Sequence, residues 1–423
     1  MNSLLCGLVV LLGTALAVWA LTPPVAVLGL RFGLVDLPSS RRTRARPVPT
    51  TGGVVVFLGL AASTLVALAL YRADAPGLAS KVTALLLGGA VIVTLGAIDD
   101  RVNLKPPTKL AVQMAVAALM SASGVAFETV RFSLGSVFNL GWLVHPLTVL
   151  WFLAFMNAMN LIDGLDGLAG GIAAATAAAL VAVGLLNGNP LLYVPAAGLL
   201  GSASGFLVHN FGRRNVYLGD AGSMVLGFFL AGSAVIGAGN DAAGRSVLAA
   251  AACMAVPAFD VATTVVRRLR SRRGLLTPDR EHTHHRLIWF GLSPRGAVLL
   301  LWGVTAFFGL QALALFTPLG FLLLAASYGI VAIVGWTLAT QRRKNAVTTD
   351  RALREELLYL FGARDFIRGR ASGAPDASLR AMIVEQIRRE ARHRRLTRAR
   401  CSEPVRPAGP RATPTTRTKH RAM

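Results

Sequence analysis

The chain has 423 residues, is 54% hydrophobic with a mean hydropathy of +0.58, and carries a net charge of +23. That apolar content excludes an ordinary soluble domain and points to a polytopic membrane protein. Cys6, Cys253 and Cys401 are too far apart for a disulfide framework or a zinc site.

Eleven apolar segments are long enough, or nearly so, to cross a bilayer: 3–22, 52–70, 82–98, 110–125, 146–158, 167–186, 190–208, 221–239, 246–266, 296–313 and 319–339. The fifth is short and reads as an interrupted helix backed by neighbours. The first lacks a basic leader, so it reads as a retained helix rather than a signal peptide. With the N-terminus outside, all but four of the 43 basic residues fall on the inner side; the exceptions are Arg72, Lys81, Arg131 and Arg245. The fold expected is an all-α integral membrane protein of about eleven transmembrane helices, N-terminus outside and C-terminus cytoplasmic. Residues 1–340 form the membrane domain. Residues 341–423, with 21 basic and 8 acidic residues, form a cytoplasmic tail that reads as partly disordered. Within the tail, 381–396 is compatible with a basic helix on the anionic leaflet. The charge follows from topology, so no nucleic-acid partner is expected.

The aspartates gather at the inner ends of these segments, where carboxylates are costly and suggest function. Arg41, Arg42, Arg44 and Arg46 lead into Pro47–Gly53; such a cluster is ordinarily a topology signal and a partner for anionic lipids, and it also suits a lipid phosphate. Asp99-Asp100 ends the third segment, followed by Lys105 and Lys109. Adjacent carboxylates repel unless a cation sits between them. The run Asn157-Ala-Met-Asn160-Leu-Ile-Asp163-Gly-Leu-Asp166-Gly-Leu-Ala-Gly-Gly171 is the most specific. If helical, it puts Asp163 and Asp166 on one face. Small-residue helix packing would explain its glycines but not its four polar residues. His209-Asn210 precedes Tyr217-Leu-Gly-Asp220-Ala-Gly-Ser223, a glycine turn into a helix that suits a phosphate, although an aspartate there also suits a helix cap. Asp260 lies in the ninth segment. In the last inner loop, Asp279–Arg286 brings three histidines together without cysteine, which suits a phosphate or sugar better than zinc. Acids for Mg²⁺, arginines and glycine turns for phosphate, and an aromatic for a base together suggest phosphoryl transfer between a nucleotide and a lipid.

These five ordered motifs, beginning with Gly33–Pro38 and Pro47–Gly53, resemble the polyprenyl-phosphate N-acetylhexosamine-1-phosphate transferases over residues 30–300. The His-x-His-His form at 282–285 resembles the N-acetylglucosamine branch, not the phospho-MurNAc-pentapeptide translocases. Arg44 and Thr50 depart from the family pattern, which often has histidine and arginine there. The resemblance implies a catalytic set of Asp99, Asp100 and Asp220, with Asp99 deprotonating or orienting the lipid phosphate. It implies Mg²⁺, with Mn²⁺ as a substitute, on Asp220 and Asn160. It implies a substrate surface of Asn157, Asn160, Asp163, Leu165, Asp166, Asn210, Tyr217, His282, His284, His285, Arg286, Lys105, Lys109 and Arg46, with Tyr217 stacking on uracil. The implied partners are UDP-N-acetylhexosamine, polyprenyl phosphate, membrane lipids and a second copy of the chain, in the inner (plasma) membrane. The implied reaction is the first membrane step of envelope glycan synthesis, by one displacement or through an aspartyl-phosphate. The alternatives weighed are translocase-like activity, a cation-coupled transporter with acids near mid-membrane, and a phosphatidyl transferase, whose arginine is replaced by Gly170.

Overall fold

The computed structural model describes residues 3–36, 47–71, 78–127, 129–131, 137–139, 141–213, 215–238, 245–270 and 282–314, with scattered positions from 317 to 333. All belong to the unit spanning 1–348. Arg46, the acidic start of the histidine loop (Asp279–Glu281) and the tail from 341 lie outside the described residues.

The architecture is helical, with two short antiparallel ladders that an all-α expectation omits. One pairs β1 (Val35–Asp36) with β2 (Val48–Pro49); the other pairs β3 (Thr129–Arg131) with β4 (Val137–Asn139). The helices are α1 (Ser3–Phe32), α2 (Gly52–Tyr71), α3 (Leu78–Val102), α4 (Pro106–Ala122), α5 (Val144–Ile162), α6 (Leu168–Leu186), α7 (Pro190–Leu207), α8 (Gly219–Ala238), α9 (Arg245–Cys253), α10 (Ala255–Arg270), α11 (Thr283–Trp289) and α12 (Pro294–Ala314). Among the described residues seven helices are long and apolar enough to cross a membrane, and up to eight if the bent pair α9–α10 is one span. The chain is therefore a helical, multi-pass membrane protein. The fifth segment is complete, since α5 is 19 residues long. By contrast, α4 is only 17 residues long.

Helix α8 is the axis of the bundle. Every residue from Ala221 to Gly237 is buried, as expected of a helix apolar on all sides. Helices α2, α3, α5, α6, α7 and α9 pack around it. The first helix does not stop before Pro23-Pro24, where the apolar segment was expected to end; it runs on to Phe32. A proline lacks the N–H that would bond to the carbonyl four residues back. At Pro23 that carbonyl is Trp19 O, and His209 Nε2 bonds to it at 2.9 Å. A neighbouring helix thus satisfies the group the proline frees. The segment expected as one helix over 246–266 is instead bent by 55° between α9 and α10. Pro257, in the first turn of α10, removes the hydrogen bond that would carry the ladder across the break.

Candidate active site

The connections bring the C-terminal ends of α3, α5 and α7 to the same end of the bundle as the N-terminal ends of α4, α6 and α8. Polar residues far apart in sequence meet there. Lys109, in the first turn of α4, is the hub. Its Nζ donates to Asp99 Oδ2 at 2.7 Å, to Asp220 Oδ2 at 2.5 Å and to Asn160 Oδ1 at 3.2 Å. Asn160 Nδ2 donates to Asp220 Oδ1 at 2.9 Å and to Ser223 Oγ at 3.1 Å.

The adjacent carboxylates of Asp99 and Asp100 take different partners, which offsets part of the repulsion between them. Asp99 takes Lys109 and, through Oδ1, the Leu104 N–H at 2.7 Å. Asp100 takes the first N–H groups of α8: Asp220 N at 2.8 Å and Ala221 N at 3.3 Å. An anion at a helix N-terminus is stabilised by the unpaired N–H groups and the helix dipole. Gly219 permits the approach. Its φ of +71° suits glycine, and any side chain there would run into the Asp100 carboxyl.

The run 157–171 is not one helix. Helix α5 ends at Ile162 and α6 begins at Leu168, so Asp163 and Asp166 lie in a turn rather than on a helical face. Gly167 makes that turn with φ +87°, and its N–H donates to Asn210 Oδ1 at 2.6 Å. Asn210 Nδ2 in turn donates to Val216 O at 2.9 Å, so both ends of this buried amide tie loops together. Asn210 sits in a π-helical turn, Val208–Arg213, a local irregularity often found at functional sites. Asp163 is half-buried. Burial first, then repulsion from Asp220, Asp100 and Asp166, holds its carboxyl well above the usual range.

Asn157 lies one turn deeper than Asn160 and bonds to Gln113 Oε1 and Leu153 O, each at 2.9 Å. Leu165 packs on the apolar core. Tyr217 is half-buried, and its backbone is stitched to the first loop: its N–H donates to Pro49 O at 2.9 Å and its carbonyl accepts from Gly52 N at 3.0 Å. The β1–β2 ladder therefore delivers the Pro47–Gly53 motif to Tyr217. Lys105 and Arg286 are exposed.

The histidines sit at the N-terminus of α11. His282 Nδ1 bonds to Asp260 Oδ2 at 2.7 Å. His282 and His284 stack in parallel at 5.8 Å, and His285 lies 4.3 Å from His284, centroid to centroid. His284 is 1% exposed, with neither ring nitrogen bonded. Burial, with the charge of His285, pushes its pKa down to about 4. It is closed off in this state rather than open to a ligand. The sequence singled out Asp260 only as one of several inner-end aspartates, without a partner, and it missed Gln113 and Trp302, which bonds to Gly167 O at 3.2 Å. Both missed residues are single polar or aromatic positions inside apolar segments, with no charge to mark them.

Among the described residues, no group of three His, Cys, Asp or Glu side chains converges to cage a metal. Mg²⁺ needs no such cage, because it keeps one or two carboxylates and takes its remaining ligands from water and phosphate. The hard oxygens of Asp220 and Asn160 fit that donor set, and the Lys109 ammonium between them marks a place that favours a cation.

The glycosyl transferase family 4 profile matches residues 82–238. A decaprenyl-phosphate N-acetylglucosaminephosphotransferase of Mycolicibacterium smegmatis is 36% identical over 333 residues, covering 73% of this chain and 82% of that one. The protein of the same name from Mycobacterium tuberculosis is 35% identical over the same length, with the same coverage of both chains. An undecaprenyl-phosphate alpha-N-acetylglucosaminyl 1-phosphate transferase of Escherichia coli is 28% identical over 280 residues, covering 64% of this chain and 73% of that one.

Proposed function

Because the chain belongs to glycosyl transferase family 4, we propose that it transfers N-acetylhexosamine 1-phosphate, with N-acetylglucosamine as the sugar, from a UDP-sugar to polyprenyl phosphate and releases UMP. The observation that carries this reading is the junction at Lys109, where Asp99, Asp220 and Asn160 from three other helix ends converge on one cation. It is a place for phosphate chemistry at the edge of an apolar bundle, next to a lipid acceptor.

An oxygen of the lipid phosphate forms a bond to the sugar-bearing phosphorus, and the bond from that phosphorus to the UMP oxygen breaks. Asp99, with both oxygens engaged by Lys109 and Leu104, orients the incoming phosphate and is the nearby acceptor for its proton. Lys109 offsets negative charge where the two phosphates meet. Asp220 and Asn160 would hold Mg²⁺, or Mn²⁺ in its place, and the ion would supply further neutralisation of the diphosphate. Asp100 positions Asp220 by capping its helix. Asp163, Leu165, Asp166, Asn210 and Tyr217 form the nucleotide side of the site, with Tyr217 stacking on uracil. His282, His284, His285 and Arg286 form the sugar side, which for His284 requires the ring to leave its buried position. Arg46 and Lys105 meet phosphate or lipid headgroups.

The full topology we propose has eleven crossings, the N-terminus outside, and the site on the cytoplasmic face of the plasma (inner) membrane, in keeping with the arginine asymmetry. Residues 341–423 are an appendage to the transferase. A cation-coupled transporter is disfavoured, because its acids belong near mid-bundle and these lie at helix ends. The test is to incubate the purified full chain with polyprenyl phosphate, Mg²⁺ and a panel of UDP-sugars. UMP appearing with UDP-N-acetylglucosamine is expected; release of UDP, or of no nucleotide with any sugar, would overturn the reading.

A further inference from the structure

Asp260 lies in α10, outside every motif that the family reading uses. It is 1% exposed. A carboxylate this deep in an apolar helix is costly unless its oxygens are filled. Both are filled at the N-terminus of α11: Oδ2 bonds to Nδ1 of His282, the residue just before the helix, at 2.7 Å, and Oδ1 accepts from the Thr283 N–H at 2.5 Å. One side chain therefore fixes both the imidazole and the backbone at the start of the histidine helix.

The first bond also decides the proton arrangement of His282. A carboxylate facing Nδ1 accepts, so Nδ1 carries the hydrogen and Nε2 is the nitrogen left for other partners. A carboxylate behind an imidazole is a recurring way to set both its orientation and its tautomer. The contacts continue beyond His282. Its ring lies parallel to His284, and the His284 ring packs against Gly164, where any side chain would collide with it. Gly164 stands between Asp163 and Asp166. A chain of contacts thus runs from Asp260 through His282 and His284 to the turn that carries the two acids.

We propose that Asp260 is a positioning residue for the transfer. It holds the tautomer of His282 and sets the distance between the histidine helix and the Asp163–Asp166 turn. The proposal rests on the transferase reading, since that is what gives the histidines a substrate to face. It adds to that reading the requirement for a residue that touches no substrate.

The experiment uses the full chain in detergent, with undecaprenyl phosphate, UDP-N-acetylglucosamine and Mg²⁺, and compares the wild type with Asp260→Asn, His282→Gln and the double variant. Asp260→Asn keeps the shape of the side chain but offers an amide where the carboxylate was. Its kcat/KM for UMP release should fall at least about tenfold, with the change concentrated in the sugar-nucleotide KM or in kcat rather than in the lipid KM. In the His282→Gln background, Asp260→Asn should cost less than about twofold, because both changes break one unit. Fully additive losses, or wild-type kcat/KM in a folded Asp260→Asn, would overturn the proposal. If Asp260→Asn does not fold, Asp260→Glu replaces it, with the same loss and the same dependence on His282 expected. Failure of both to fold would make Asp260 a folding residue and also overturn the proposal. A wild type that releases no UMP would instead sink the transferase reading itself.

Discussion

The acid junction and the histidine helix lie at the same end of the bundle, but they handle buried polarity in opposite ways. In the junction, all six carboxylate oxygens of Asp99, Asp100 and Asp220 have partners: Lys109, Asn160 and backbone N–H groups. In the histidine helix, His284 is buried with both nitrogens unpartnered, and it stays neutral. The contrast shows two ways to keep a polar group near hydrocarbon. One neutralises charge with an opposite charge and fixed dipoles. The other keeps the group uncharged and accepts a cost of roughly 1–3 kcal/mol for each unmet hydrogen bond.

The contrast can be broken most forcefully at Lys109. Lys109→Met leaves Asp99 and Asp220 facing each other without a cation. Losing one partner of such a network costs about 3 kcal/mol or more, so the melting temperature in detergent should fall and UMP release should be lost. A variant that melts like the wild type would mean that Lys109 does not hold the junction together.

Acid should act on the other region. The pKa of His284 in the fold is about 4, against an ordinary 6.5, so the unfolded chain binds its proton first. Its contribution to stability is complete above pH 6.5 and is lost as the pH falls towards 4, by up to about 3 kcal/mol. Melting curves across that window should fall steeply for the wild type and less so for His284→Phe. Equal slopes would show that the imidazole is not kept neutral by burial.

Tyr217→Ala sharpens the comparison at the edge of the junction. It should weaken UDP-sugar binding by about 1–3 kcal/mol, as loss of a base stack does elsewhere, while Tyr217→Phe should bind normally. Titration of UDP-N-acetylglucosamine by calorimetry separates the two. The smallest effect is expected from truncation after residue 340, because every motif of the proposed site lies before residue 300; turnover in detergent should change by less than about twofold.

The helical membrane class was legible in hydropathy alone, and the motifs of both regions were legible as residue types. Their division of labour was not. Nothing in the adjacency of Asp99 and Asp100 says that one takes a lysine ten positions on while the other caps α8, because that depends on where α8 packs. The turn at 163–167 was hidden for a similar reason. Asp163 and Asp166 have helical spacing, but the backbone leaves the helix already at Asp163, with ψ +52°, and turns again at Gly167, whose N–H is held by Asn210. The first helix outruns the apolar segment 3–22, and its partner at the carbonyl that Pro23 frees, His209, lies 186 positions beyond Pro23. Asp260 passed as one acid among several until α11 closed over it.

The central claim is that phosphorus, not the sugar alone, moves at the junction around Lys109 and Asp220. It is tested most directly with UDP-N-acetylglucosamine carrying ³²P in the phosphate attached to the sugar. With the purified chain, undecaprenyl phosphate and Mg²⁺, the label should pass into the lipid fraction while unlabelled UMP is released, and Asp220→Asn should abolish the transfer while remaining folded. Label left in UDP while the sugar reaches the lipid, or undiminished transfer by Asp220→Asn, would contradict the account.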